Sequence, residues 1–230
     1  MRTFYAAVLF LAAAALQAQS ASTPAAPAKQ QSPTAPTAAP AGPQTFTSDL
    51  GFSYIYAGDW EVVDTKPMMP AIHQQLDDKS ASDPEKKAAS CVHMELLLRK
   101  QADGSMIMAV SLPYECYGTQ FAETDLPGFG TGVAQGLKTS FDIQGSEQST
   151  YSLGTHKLWI ERAKGNFKGH PELSYTIETV CSLLKKGAVC WIGMGKDADA
   201  VQRFESGQTL LEGDATAALV PPTAFDHKEK

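Results

Sequence analysis

The stretch that decides the fold is CVHMELLLRKQADGSMIMAVSLPYEC, residues 91–116. Two apolar runs flank Asp103-Gly104, a pair that accepts the positive φ angles of a two-residue hairpin turn. The pattern therefore predicts antiparallel strands over residues 91–100 and 105–112. Pairing across this turn gives the ribbon one apolar face containing Leu97, Val110 and Leu112, and a second containing Leu96, Leu98 and Ile107. A sheet that is apolar on both faces needs a covering layer on each side.

Periodicity outside this hairpin predicts further strands and three helices. Strands are expected at residues 52–56, 60–63, 147–153, 157–163, 174–184 and 188–194. A short helix is expected at 71–77, and a second within 126–142, where Val133, Leu137 and Phe141 share one face. Residues 196–212 form an amphipathic pattern with Val201, Phe204 and Leu211 on one side. The order predicts an α+β fold, an antiparallel sheet with helices packed on both faces as an α/β/α sandwich.

The segment GFSYIYAGDWEVV, residues 51–63, resembles the start of the PsbP/Mog1-like family. In that family a Gly-Phe-x-aromatic strand runs through a turn to a tryptophan, and a closing helix is matched here by AVQRFESGQTLLE, residues 200–212. The resemblance extends over most of residues 46–211. It implies a Mog1/PsbP-like sandwich that serves as a binding or accessory module, with Phe52, Tyr54 or Trp60 anchoring an edge hairpin.

Composition divides the chain into four segments. Met1-Arg2, an apolar run over residues 4–16 and small residues after it predict a signal peptide at residues 1–20. Residues 21–44 contain no aromatic side chain and are rich in Ala, Pro, Ser, Thr and Gln, which predicts a disordered linker. A single domain is expected at 45–215 and a flexible tail at 216–230. The mature protein is expected in the periplasm or outside the cell, without membrane insertion.

Four cysteines in an exported chain predict two disulfides. In the register of the first hairpin Cys91 faces Cys116, and around the Lys185-Lys186 turn Cys181 faces Cys190. A four-residue loop over 184–187 keeps the second register and puts Gly187 in a left-handed conformation. Pro113 cannot donate to a strand ladder, which leaves open whether the first register continues to Cys116.

A metal site is the alternative use of the same residues. Cys91, His93 and Glu95 alternate along a strand, and together with Cys116 they could ligate zinc. If the cysteines are oxidised, His93 and Glu95 remain as weak candidate ligands. Methionine pairs at residues 68–69 and at 106 and 108 could ligate copper, although methionines in strands usually fill the core. The expectation is that the protein has no cofactor.

The remaining signals argue against several functions. The formal net charge is −6 and no basic stripe is present, so nucleic acid is not an expected partner. GFGTG at residues 128–132 lacks the spacing and lysine of a phosphate loop and is interpreted as the flexible start of a helix. No catalytic motif is found.

The chain is expected to be an exported, non-catalytic binding or accessory module for an unknown protein or small ligand. The alternatives are a periplasmic zinc or copper protein and an enzyme whose site cannot be read from sequence.

Overall fold

Seven antiparallel strands form the larger sheet of the structure, a computed structural model that describes residues 42–70, 83–196, 208–212 and 217–218. Their order is β3-β4-β5-β9-β8-β7-β6. The bounds are β3 (Glu61–Val62), β4 (His93–Lys100), β5 (Ser105–Pro113), β6 (Phe141–Leu153), β7 (His156–Phe167), β8 (His170–Leu183) and β9 (Gly187–Gly195). The central strand β9 is buried along its whole length, which explains its nearly continuous run of apolar and small residues.

A smaller sheet of four strands covers one face of the larger sheet. It contains β1 (Gln44–Ser48), β2 (Phe52–Tyr56), β10 (Gln208–Leu211) and β11 (Ala217–Ala218), in the order β1-β2-β10-β11. Alternate residues of β2 are buried, because side chains in a strand point to opposite faces. Phe52 packs edge-on against Trp191 of the larger sheet, with ring centroids 5.2 Å apart.

Helices cover the opposite face. They are α1 (Asp83–Cys91), the single turn α2 (Tyr114–Tyr117) and α3 (Leu126–Leu137), which a short 3-10 helix, Glu123–Asp125, precedes. The apolar side of α3 contributes Leu126, Phe129, Val133 and Leu137 to a core shared with β4, β5, β8 and β9. The other core lies between the two sheets.

The predicted α/β/α sandwich with helices on both faces is wrong, because one covering layer is a sheet and the protein is mostly β. The end of the helix predicted at residues 196–212 is a strand. Gln208–Leu211 form β10, which pairs with β2. Residues 197–207 of the predicted helix lie outside the described residues. β2 and β3 also belong to different sheets, so residues 52–63 are not an edge hairpin. Phe52, Tyr54 and Trp60 are nevertheless buried anchors.

The β4–β5 hairpin has the predicted faces but a different loop. Lys100 pairs with Ser105, so the loop contains four residues, 101–104, instead of two. Asp103 accepts a hydrogen bond from the Ser105 amide at 2.8 Å, and Gly104 has a φ of 75°. A shift of two residues leaves the side-chain faces unchanged. Leu97, Val110 and Leu112 therefore lie in the core under the helices, and Leu96, Leu98 and Ile107 lie between the sheets.

The two disulfides join the pairs expected from the sequence. Cys181 and Cys190 are opposed in the β8–β9 ladder, as their register requires. Cys91 and Cys116 are bonded as well, but Cys91 ends α1 and Cys116 lies in α2, so the bridge joins two helices instead of two strands. Gly187 has no positive φ. Glycine suits that position because an added Cβ would lie 2.9 Å from the Leu112 carbonyl oxygen.

Several segment boundaries differ from the sequence-based expectations. Phe141 begins β6 instead of ending a helix, although it is buried beside Val133 and Leu137 as expected. Gln44, assigned to the linker, begins β1, and Ala217–Ala218 of the expected tail form β11. Residues 1–41 and the expected helix at 71–77 lie outside the described residues. In the part that is described, no helix has the length and apolarity needed to cross a membrane.

Candidate functional site

An open groove of about 530 Å³ lies where the smaller sheet meets the start of β4. One wall is the end of β1 and the turn after it, residues 46–49, and the other wall contains Thr65, Lys66 and Met69. The floor is formed by residues 93–95. We refer to this feature as the β1–β4 groove.

A β-bulge in β4 shapes the floor of the groove. Met94 pairs with Val110 and Leu96 with Ala109, so Glu95 is an extra residue without a partner in the ladder. A bulge of this kind bends the strand and redirects the side chain of the inserted residue. Glu95 thereby lines the β1–β4 groove although it interrupts an otherwise apolar run.

Two serines hold the Glu95 carboxylate. Ser48 at the end of β1 donates to Oε2 at 3.0 Å, and Ser111 of β5 donates to Oε1 at 2.6 Å. Both serines are buried, and the Ser48 hydroxyl itself accepts a hydrogen bond from the Leu50 amide at 3.2 Å. Because each oxygen is held from a different sheet, the orientation of the carboxylate is fixed before any ligand arrives.

The charge of Glu95 is not matched by a cation within the described residues. The ion pairs found there involve other carboxylates. A serine hydroxyl supplies a hydrogen bond but no charge, and an ionised carboxylate offers about four lone-pair positions. The half-buried carboxylate therefore keeps acceptor capacity and a negative charge at the floor of the groove.

The predicted metal ligands are only partly brought together. His93 and Glu95 both line the β1–β4 groove, but Cys91 and Cys116 are bonded to each other and leave no thiolate. Among residues 42–70, 83–196, 208–212 and 217–218, no group of three or more His, Cys, Asp or Glu side chains could hold a metal ion. The four-ligand zinc site considered from the sequence is therefore not assembled.

A second carboxylate of unusual character lies between the sheets. Glu178 of β8 is fully buried, and its Oε2 accepts a hydrogen bond from Arg162 Nε of β7 at 2.5 Å. The hydrogen bond and the charge of Arg162 lower the pKa of Glu178, but the loss of hydration on burial has the larger effect. The pKa is raised from 4.5 to about 7. Burial, together with the charge of Glu178, also raises the pKa of Tyr54 and of Tyr151. Glu178 is inaccessible to solvent, so this cluster bears on stability and not on the binding of a ligand.

The glycine cluster GFGTG lies inside α3 and not at a phosphate site. Gly130 packs against Trp159 of β7 so closely that an added Cβ would lie 2.2 Å from the ring. At Gly128, about half a turn earlier, an added Cβ would meet no heavy atom within 4 Å. The segment lies in the first two turns of the helix, where Gly130 allows close packing between the helix and a strand.

Comparison with known proteins yields structural likenesses but no sequence match. By sequence, no protein family and no curated protein matches the chain. Among solved structures it is similar to cyanobacterial PsbP (CyanoP) from Synechocystis sp. PCC 6803, with 11% identity and a TM-score of 0.39. The aligned region covers 76% of this chain and 91% of the other. A likeness of this size does not establish a shared function.

Proposed function

We propose that the domain is a non-catalytic binding module that accepts a basic side chain of a partner protein in the β1–β4 groove. The observation that carries the proposal is Glu95, a half-buried carboxylate held by Ser48 and Ser111 and without a cationic partner among the described residues. A guanidinium or ammonium group would supply both the missing charge and the remaining hydrogen bonds.

The fixed orientation of the carboxylate favours binding over a purely structural role. Because the carboxylate is already held in place, binding a ligand does not incur the entropic cost of ordering it. The walls add Phe46 and Met69, apolar side chains that can cover the aliphatic part of a lysine or arginine. Lys66 lines the same groove and disfavours a partner with dense positive charge, so a single basic side chain suits it best.

Export to an oxidising compartment is part of the proposal. Disulfides persist in the periplasm and outside the cell, and are rare in the cytosol. All four cysteines of the chain are in disulfides, at Cys91–Cys116 and Cys181–Cys190. The apolar run at the N-terminus and the linker after it agree with a module displayed at a distance from its attachment or release point.

Binding of a guanidinium probe should map to this groove. We expect N-acetyl-arginine amide, added to the ¹⁵N-labelled protein, to shift NMR amide signals of residues 46–49 and 93–95. The neutral isostere N-acetyl-citrulline amide should not shift them. Glu95→Gln should weaken binding of the arginine probe about tenfold, equivalent to about 1.4 kcal/mol.

Glu147→Gln is the matched control, because Glu147 is an exposed carboxylate on β6, away from the groove. It should leave the titration unchanged. The proposal fails if the arginine probe shifts no signal in the groove, or if Glu95→Gln binds it as well as the wild-type protein does. Saturable zinc binding that is lost in Glu95→Gln, without a response to the arginine probe, would instead favour the metal-protein alternative.

A further inference from the structure

β6 differs from the other outer strands of the two sheets. It is the last strand of the seven-stranded sheet and spans Phe141–Leu153, and in the part of the chain that the structure describes it pairs with β7 alone. The strand at the opposite edge, β3, has two residues, one of which, Glu61, forms a salt bridge with Arg99. A short, charged edge is the usual protection against pairing with another chain, and β6 is neither short nor strongly charged.

The sequence of β6 suits a strand that pairs on its open side. After the irregularity between Ile143 and Gly145, its register with β7 is continuous to Leu153. The segment 148–153 reads QSTYSL and contains neither a charge nor a proline. Thr and Tyr favour strands, and hydroxyl side chains can pair across neighbouring strands.

We propose that β6 is a self-association site, at which two copies of this chain pair antiparallel about a two-fold axis at Thr150. In this register Ser149 lies opposite Tyr151 of the second copy, and Gln148 lies opposite Ser152. Glu147 lies opposite Leu153, so no two like charges face each other. The two copies of Glu147 are about 20 Å apart along the strand, beyond the range of strong repulsion in physiological salt.

The charge pattern of β6 is compatible with a second copy in this register and disfavours an axis near Glu147. A two-fold axis at Glu147 would place two carboxylates directly opposite each other, which is destabilising. With the axis at Thr150, the uncharged residues 148–152 of one copy pair with the same residues of the other copy. The two seven-stranded sheets then form one continuous sheet. A symmetric interface of this kind requires no other partner.

Sedimentation and crosslinking of the full chain test this proposal. The wild-type protein should show a concentration-dependent rise from the chain mass of 24.6 kDa towards twice that value. Thr150→Lys opposes two lysines at the axis and should raise the dimer dissociation constant about tenfold or more. Thr150→Val, which keeps an uncharged β-branched side chain, should leave the constant within about twofold.

Single cysteines report the register directly, because all four native cysteines are already paired. Thr150→Cys should form a covalent dimer on mild oxidation. Ser146→Cys is equally exposed on the same strand but would lie about 26 Å from its copy, so it should not. A monomer at all concentrations, a dimer insensitive to Thr150→Lys, or equal crosslinking from both cysteines would overturn the proposal.

Discussion

Replacing Gly130 by alanine should lower the free energy of unfolding by about 3 kcal/mol or more. The added methyl group would lie 2.2 Å from Cε3 and 2.4 Å from Cδ2 of Trp159, well inside contact distance. Trp159 is buried in β7 opposite Cys181, where the strand pairing and the disulfide restrict its movement. The strain must therefore be relieved by displacing α3 from the sheet, which opens the core beneath the helix.

Gly128→Ala provides the matched control within the same helix. No heavy atom lies within 4 Å of a Cβ added at Gly128. Alanine exceeds glycine in helix propensity by about 1 kcal/mol, so this variant should be as stable as the wild-type protein or more so. Denaturant unfolding with the disulfides intact measures both variants. Equal stability of the two alanine variants would contradict the packing assigned to Gly130.

Glu178 should make the folded protein less stable as the pH rises from about 4.5 to about 7. Its pKa is 4.5 when solvated and about 7 in the fold, because burial disfavours the charged form. Within that window the folded protein holds a proton that the unfolded chain releases. The stabilising contribution is thus complete below pH 4.5 and is lost by about pH 7, with a size of about 3 kcal/mol.

The comparison of wild-type protein with Glu178→Gln isolates this contribution. Glutamine keeps an acceptor for Arg162, the cation that faces Glu178 from β7, but it does not titrate. Tyr54 of β2 and Tyr151 of β6 also face the carboxyl, and their raised pKa values keep them neutral throughout the window. The difference in unfolding free energy between the two proteins should therefore change by about 3 kcal/mol between pH 4.5 and pH 8.

Glu147→Gln serves as the control for that measurement. Glu147 lies opposite Arg162 in the β6–β7 ladder, but its side chain is exposed. This variant should retain the pH dependence of the wild-type protein. A wild-type stability that stays flat or rises over the window relative to Glu178→Gln would show that Arg162 fully offsets the loss of hydration.

Local pattern was sufficient for the presence of each strand of the larger sheet, although not for the start of β6, and for the two faces of β4 and β5. Side chains along a strand alternate between the two faces of the sheet, and this alternation can be read from neighbouring residues alone. Because the loop is longer than expected by two residues, each side chain stays on its predicted face. The smaller sheet could not be predicted in this way. β10 pairs with β2 from the other end of the domain, and the apolar spacing before Leu211 also fits a helix. Pairing with β2, which is distant in sequence, makes residues 208–211 a strand.

The β1–β4 groove was missed for a related reason. Ser48, Glu95 and Ser111 come from three strands of two sheets, and no spacing in the sequence connects them. One signal was present, since Glu95 is a charged residue within an apolar run and therefore needs a polar partner when it is buried. The sequence placed His93 and Glu95 together as weak metal candidates, and the structure places both in the groove but without the cysteines.

Site-specific photo-crosslinking tests the proposed binding role most directly. A photoreactive residue at the exposed Lys66, in one wall of the β1–β4 groove, is compared with one at Lys168, in the exposed β7–β8 turn. Crosslinking in the exported fraction of the native host should attach position 66, but not position 168, to a partner segment that contains Lys or Arg. Glu95→Gln should reduce that product about tenfold. Equal capture at both positions, or capture at position 66 that Glu95→Gln leaves unchanged, would contradict the assignment of this groove as the binding site.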